Sequence, residues 1–418
     1  MKRETKIEEQ RRATLPSVEK VRQELGRAES SDDFFGKEGI FAKLLAETLE
    51  QLLEAELTDQ LGYEKYETKG RNSGNSRNGK TSRKLRTSSG DLEIEVPRDR
   101  NGDFQSKVLA KHQTSTNELE AKVLGLYAKG LSTRDIQTTL EDLYGVEVSP
   151  TTISAITDRV WSLVEAWQNR ALAAIYPILY LDALHLKLRR DGKVVNTAVY
   201  VVLGVDLEGQ RDVLGHWLGD GGEGANFWLS VVSDLQARGV EDIFVACIDG
   251  ITGFKEAIQA VFPQTAIQRC VIHQIRQRLK YVGWKDRKAF VDDLKTIYRA
   301  PTREAGESAL LALGDRWGKQ YAVAVRSWEA NWDDLATMFD YPVAIRRLIY
   351  TTNTVEGYHR QLRKVLKTKS SFPTEEAARK LLFLVTQDIS RKWSGPIFNW
   401  PLILNQLAIR YEDRLSFG

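Results

Sequence analysis

Three β-rich runs follow one another with little chain between them: ILYLDALHLKLR (178–189), VVNTAVYVVLGVDL (194–207) and QRDVLGHWL (210–218). Asp-Gly and Glu-Gly turns join them, which predicts an antiparallel meander. Alternation along the first run puts Asp182 on the same face as Tyr180 and Leu184. A helix is expected next, over 224–237, because Phe227, Leu229, Val231, Val232 and Leu235 form an apolar face. The pattern then alternates: strand IFVACI (243–248), helix TGFKEAIQAVF (252–262), short strand AIQRCVI (266–272), and a basic helix through Arg276, Arg278 and Lys280.

Three antiparallel strands followed by alternating helix and strand is the order of the ribonuclease-H-like fold. Residues 284–345 break the alternation with a helical, Trp-rich stretch holding Trp284, Trp317, Trp328 and Trp332. The expected fold class is therefore an α/β ribonuclease-H-like core with an all-α insertion, preceded by a mainly helical N-terminal region. Expected segments are 1–68, helical; 69–112, a basic linker with a short β segment; 113–172, helix-turn-helix-like; 173–283, the first part of the core; 284–345, the insertion; and 346–418, the last part of the core with C-terminal helices.

At 418 residues and 42% hydrophobic content, the chain can fill two or three cores. Sixty Lys and Arg against 57 Asp and Glu leave a net charge of +3, too mild to prove a polyanionic partner, so the distribution of charge has to decide. Two cysteines, Cys247 and Cys270, make no disulfide framework, and the first residues lack the order of a signal peptide. Apolar runs such as AVYVVLGV (198–205) fall well short of the roughly 20 residues that span a bilayer. A cytoplasmic protein with no membrane partner is expected.

The first thirty residues read as a loosely held arm. From Phe41, apolar residues at Leu44, Leu45, Leu49, Leu52, Leu53 and Leu57 predict an amphipathic helix that buries its stripe in a core or a dimer contact. Residues 69–90 carry seven bases, no acid and four glycines, a composition suited either to a solvated loop or to following a phosphate backbone through Arg77, Lys80, Arg83, Lys84 and Arg86. DLEIEVPRDRNGDF then alternates Leu92, Ile94 and Val96 against charges, as a half-buried strand does. Residues 131–160 predict two short helices about a turn at Gly145, with Ser132 and Asp135 capping the first and Ser149-Pro150 opening the second. In a DNA-reading helix-turn-helix, Thr151, Thr152 and Ser154 face base edges, while Arg134 and Arg159 are placed for phosphates.

Two acids sit where an acid is costly. Asp182 lies within an apolar run and Asp249 ends FVACID before a glycine, so each needs a cation or a dense set of donors. Mg²⁺ satisfies both at once; the bland alternatives are a helix cap or turn for Asp249 and an ion pair with Arg189 or Arg190 for Asp182. Asp220 and Glu223, in a glycine-rich loop, read more simply as caps. Glu356 closes a capping box with Asn353, yet it also heads a face shared with Arg360, Arg363 and Lys367, with Lys364 alongside, running about 16 Å at 1.5 Å per residue. Cys270 and His273 have half a zinc spacing with no second pair near; His273 reads as a donor lining the site or as part of a buried helix start.

The motifs LDALHLKLR, CIDGITGFKEAI, QRCVIHQIR and RRLIYTTNTVEGYHRQLRKVLKTKSSFP, in that order, resemble the Mutator-type transposases of bacterial insertion sequences. RNGKTSRKLRTSSGDLEIEVPRDRNGDFQ and GLSTRDIQTTLEDLYGVEVSPTTIS extend the likeness over most of residues 50–405. The resemblance implies a DDE transposase with Asp182, Asp249 and Glu356 as catalytic metal ligands, two Mg²⁺ (or Mn²⁺) ions per active site, and Cys270 and His273 as an auxiliary Cys-x-x-His pair. It further implies binding of double-stranded DNA at terminal inverted repeats, strand cleavage at element ends, and joining of the 3′-hydroxyl to target DNA by a homodimer or higher homo-oligomer. A catalytically silent DNA-binding regulator and a ribonuclease-H-like nuclease or resolvase are the alternatives. Gly357, His359 and Gly224 depart from the family pattern without falling on the three acids.

Overall fold

The computed structural model describes residues 18–26, 33–34, 39–70, 73–87, 90–111, 113–144, 146–219, 225–250, 253–350 and 353–415. Two compact units divide the chain, Met1–Arg159 and Val160–Gly418. Gly145, Asp220, Glu223 and Gly224 lie outside the described residues, as does nearly all of the N-terminal arm.

In the first unit, helix α1 (Val18–Leu25) precedes α2 (Ile40–Leu61), which ends where Gly62 turns left-handed at φ 78° and its N–H reaches Thr58. The buried stripe of α2 is narrower than its leucines suggest: Leu53, Leu57, Ile40 and Ala42 are inside, whereas Phe41 and Leu45 are exposed. Leu53 and Ala42 pack with Leu85, Leu92 and Ile94 of a two-stranded sheet, β1 (Arg77–Thr87) and β2 (Gly90–Asp99). The basic stretch is thus a strand over half its length, with Leu85 opposite Leu92 and Arg83 opposite Ile94. Helices α3 (Asn117–Ala128), α4 (Thr133–Tyr144) and α5 (Pro150–Asp158) follow. Ser132 and Asp135 exchange the two hydrogen bonds of a capping box ahead of α4, at 3.1 and 2.9 Å, and the Ser149 hydroxyl accepts from Thr152 N–H at the head of α5. Leu119, Val123, Ile136, Leu140, Ile153 and Ile156 close the core of these three helices.

The second unit opens with α6 (Trp161–Gln168), which the sequence grouped with residues 113–172, and continues into a five-stranded sheet. Its strands are β3 (Ile175–Arg190), β4 (Lys193–Val205), β5 (Arg211–Leu218), β6 (Asp242–Ile248) and β7 (Ala266–Arg269), in spatial order β5-β4-β3-β6-β7. The first three pair antiparallel; β6 pairs parallel with β3, and β7 with β6. Asp191 and Gly192 both have positive φ, 49° and 75°, as a two-residue hairpin matched to strand twist requires. One sheet face, through Leu179, Leu181, Tyr200, Val202 and Ala246, packs on Trp228, Val231 and Leu235 of α7 (Ala225–Ala237) and on Phe254 and Ile258 of α8 (Phe254–Val261). After β7 come α9 (Val271–Arg278), then α10 (Arg287–Tyr298), α11 (Arg303–Trp317), α12 (Ala322–Ala330), α13 (Trp332–Ala336) and α14 (Val343–Ile349). Helices α15 (Asn353–Leu366), α16 (Glu375–Ser390) and α17 (Trp400–Arg410) complete the unit, with α15 lying on β3 and α16 on β5. No helix among the described residues is long and apolar enough to cross a membrane.

A buried polar chain ties the sheet to these last helices. His216 of β5 has Nε2 2.6 Å from the Tyr358 hydroxyl, which lies 2.6 Å from the Thr386 hydroxyl; Thr386 donates to the carbonyl of Leu382. Burial, reinforced by the positive field of His359, Arg379 and Arg170, lowers the His216 pKa to about 3. The folded protein keeps this imidazole neutral while the unfolded chain takes up a proton below about 6.5. Its contribution is therefore complete above pH 6.5 and is lost as pH falls toward 3, by up to roughly 1.4 kcal/mol per pH unit. Denaturant unfolding measured between pH 7 and 4 is expected to show a shallower acid loss in His216→Gln than in the parent protein; equal slopes would remove His216 from the acid response.

Candidate active site

Strand register sets the first two acids side by side. Leu181 of β3 pairs with Ile248 of β6, so the next residues stand side by side, Asp182 in the middle of β3 and Asp249 just past the carboxyl end of β6. Asp182 is buried, and its Oδ1 accepts from the Ala183 N–H at 2.8 Å. Arg190 is paired elsewhere, with Glu375 at 3.4 Å, and the ring behind Asp182 is His359, whose Nδ1 lies 3.2 Å from Oδ2. That approach is close without hydrogen-bond alignment, since both ring nitrogens of His359 are buried and unsatisfied. Burial raises the Asp182 pKa, but His359, then His273 and the Ala183 N–H, outweigh it and hold the carboxyl below its usual range. His359 therefore bears directly on the first acid.

Asp249 is half-buried, with Oδ1 accepting from the Gly250 N–H at 2.6 Å and from Gln277 at 3.3 Å. The strand expected over 266–272 stops at Arg269, because Cys270 starts α9 instead. Its N–H bonds the Ile248 carbonyl at 2.9 Å and its sulfur accepts from the His273 N–H at 3.5 Å. The Cys-x-x-His spacing is thus a helix start anchored beside β6, and it delivers the His273 ring between the acids. His273 Nδ1 is 3.9 Å from Asp249 Oδ1, and Nε2 is 3.8 Å from Glu356 Oε1. Ligand atoms of Asp182, Asp249 and His273 all lie within 4.8 Å of one another, close enough to hold a metal ion. Burial lowers the His273 pKa, but the Cys270 sulfur and the Asp249 and Asp182 carboxylates prevail, bringing it up to about 9.

Glu356 stands in the first turn of α15, across from this group, and both of its oxygens are taken by Arg276 of α9, at 2.6 and 3.2 Å. A groove of about 610 Å³ runs from Asp182 past His273, Arg276 and Glu356 to Gly357, Arg360, Arg363, Lys364 and Lys367. All four bases of α15 and its C-terminal end are exposed. The site therefore joins a carboxylate cluster to a cationic track on one helix face, an arrangement that can bind a divalent cation at one end and a polyanion along the other.

In the first unit the candidate nucleic-acid residues divide. Arg77 is tied inward, to Glu54 at 3.4 Å, the Thr58 hydroxyl at 2.6 Å and the Tyr63 carbonyl at 3.2 Å. Lys84 pairs with Asp91 at 2.8 Å, Arg83 donates to the Ala110 carbonyl, and Arg159 pairs with Glu120 at 2.6 Å. Lys80, Arg134 and Thr151 are exposed, while Arg86, Thr152 and Ser154 are half-buried. Sequence reasoning missed the roles of Arg276 and His359; the four-residue step from Val355 to His359, both fully buried, marks the sheet-facing side of α15.

The family model described as "Transposase, Mutator family" matches residues 17–395. The transposase for insertion sequence element ISRM3 of Rhizobium meliloti is 41% identical over 383 residues, 91% of this chain and 95% of its own length. A probable transposase for an ISRM3-like element of Sinorhizobium fredii is 40% identical with the same coverage, and the IS905 transposase of Lactococcus lactis is 35% identical over 89% of this chain and 93% of its own. Among solved structures, the Drosophila P element transposase strand transfer complex matches 65% of this chain and 92% of its own at 9% identity, with a TM-score of 0.35, too low to carry a common fold. With that family match over nearly its whole length and relatives of this similarity, the chain belongs to the Mutator family of transposases.

Proposed function

We propose that the second unit is a ribonuclease-H-like catalytic core that cuts DNA strands at the ends of an insertion sequence and joins the freed 3′-hydroxyl to target DNA. The observation that carries this reading is that Asp182 and Asp249 meet at His273, with Glu356 on the other side of that ring, and that Asp182 and Glu356 line a groove continued by Arg360, Arg363, Lys364 and Lys367. The sheet order β5-β4-β3-β6-β7, antiparallel on one side of β3 and parallel on the other, supports the fold assignment.

The donors suit hard divalent cations. Asp182 and Asp249 bring carboxylate oxygens together, and His273 Nδ1 is buried beside them without a hydrogen-bond partner of its own. Asp182, Asp249 and Glu356 would hold Mg²⁺ or Mn²⁺, with His273 within reach. Two such ions, when bound, supply the charge that activates an attacking oxygen and stabilises the leaving one. The Asp182 carboxylate is kept ionised by His359 and ready to bind a cation near neutral pH. Arg360, Arg363, Lys364 and Lys367 neutralise phosphates and fix the strand along α15, setting the scissile bond at the carboxylates. Joining two element ends requires at least two copies of the chain, consistent with a homodimer or larger assembly on double-stranded DNA bearing terminal inverted repeats.

Asp182→Asn, Asp249→Asn and Glu356→Gln are each expected to lower strand nicking by at least about a hundredfold while duplex binding persists. The assay uses element ends, random duplex and an RNA–DNA hybrid, each with Mg²⁺ or EDTA. Nicking retained in any variant removes that acid from the site; cleavage of the hybrid alone favours a ribonuclease, and binding with no cleavage favours a silent regulator. Arg363→Ala and Lys367→Ala should each weaken duplex binding for any sequence and lower the log–log salt slope by about one. An unchanged slope would take the α15 track out of the DNA path.

A further inference from the structure

We propose that Arg276 is a latch: it withholds Glu356 from the other acids until a DNA phosphate takes over its guanidinium, so that substrate binding completes the metal site. This rests on the reading of Asp182, Asp249 and Glu356 as metal ligands.

The geometry separates the three acids into two and one. Asp182 and Asp249 share a close group with His273, whose ligand atoms lie within 4.8 Å of one another, and Glu356 is held outside that group. Arg276 spends two N–H groups on Glu356, 2.6 Å to Oε1 and 3.2 Å to Oε2, which covers both oxygens a cation needs. His273 and Arg276 sit three residues apart on α9, on one face, so a single helix offers an imidazole to the first two acids and a guanidinium to the third.

The hold is of a kind that can be exchanged. The Arg276 side chain is 59% exposed, and an ion pair so open to solvent contributes little to stability. A DNA phosphate is an equivalent two-oxygen acceptor for the same planar fork. Arg276 lines the groove together with Arg360, Arg363, Lys364 and Lys367, the side chains that would carry the DNA backbone past it. A strand lying on that track brings a phosphate within reach of Arg276, and the freed Glu356 carboxylate turns to the cation held by Asp182 and Asp249. Because coupling between two ligands is reciprocal, divalent cation should tighten DNA binding as much as DNA tightens the cation. Arg276 is in this account a positioning residue. It touches neither reacting atoms nor metal.

Mn²⁺ binding to the DNA-free full chain, followed by electron paramagnetic resonance, tests the latch without any turnover. The parent protein and Glu356→Gln are expected to bind Mn²⁺ alike. Arg276→Gln should bind it about tenfold more tightly, and Arg276→Gln with Glu356→Gln should lose that gain. Arg276→Lys, which cannot cover both oxygens, should fall between. In a second measurement, fluorescence anisotropy of a labelled random duplex, Mn²⁺ should tighten binding in the parent by a larger factor than in Arg276→Gln. Unchanged thermal melting of the Arg276 variants separates these effects from misfolding. If Glu356→Gln weakens Mn²⁺ binding by the same factor with and without Arg276, or if Arg276→Gln leaves Mn²⁺ affinity unchanged, the latch is wrong. If instead Asp249→Asn binds Mn²⁺ as the parent does, the metal site itself is wrong, a result distinct from failure of the latch.

Discussion

The parallel pairing of β3 with β6 is the constraint on which the second unit depends. Its register, Leu181 opposite Ile248, forces two carboxylates into adjacent positions on the inner strands of a dry sheet. Two like charges repel, and a buried one also loses its hydration, so the pairing is tenable only with compensation nearby. His359 behind Asp182, His273 between the acids and Gln277 on Asp249 supply it. The same strand end receives the Cys270 N–H at the Ile248 carbonyl, which fixes where α9 begins and hence where His273 and Arg276 point.

From that anchor the charge distribution becomes polarised. Acids gather where β6 ends beside the middle of β3, and bases gather along the exposed face of α15. Glu356 belongs to both, since it occupies the first turn of α15, where the helix dipole favours a carboxylate, and closes the acidic end of the groove. The opposite side of α15 is tied down by Tyr358 and Val355, fully buried, and by the hydroxyl chain from His216 to Thr386. That rigid backing holds the cationic face in register with the sheet, which a loop bearing the same residues could not do.

The N-terminal unit shows how composition overstates a charged surface. Residues 69–90 are strongly basic, yet strand formation commits many of their side chains to local partners: Arg77 to Glu54 and Thr58, Lys84 to Asp91, Arg83 to a backbone carbonyl. Pairing with β2 satisfies the backbone of a segment with almost no apolar alternation of its own, which is why its strand character was hidden. Among its described residues, only Leu85 and Thr87 are buried. The helices of 117–158 announce themselves better, because their caps, Ser132 with Asp135 and Ser149 before Pro150, are local in sequence.

What the sequence determined by itself was whatever a short window records. Alternation in 178–218 specified three strands and the side Asp182 occupies; Asp191-Gly192 specified the first turn; the four-three-four spacing of Glu356, Arg360, Arg363 and Lys367 specified one helix face. Tertiary structure alone decided the partners: that Glu356 is gripped by Arg276, eighty residues away in the chain, that His359 rather than an arginine backs Asp182, and that Cys270 caps a helix beside β6. Periodicity reveals that a side chain faces inward, but the identity of what it meets depends on how distant elements pack, and no local pattern carries that information.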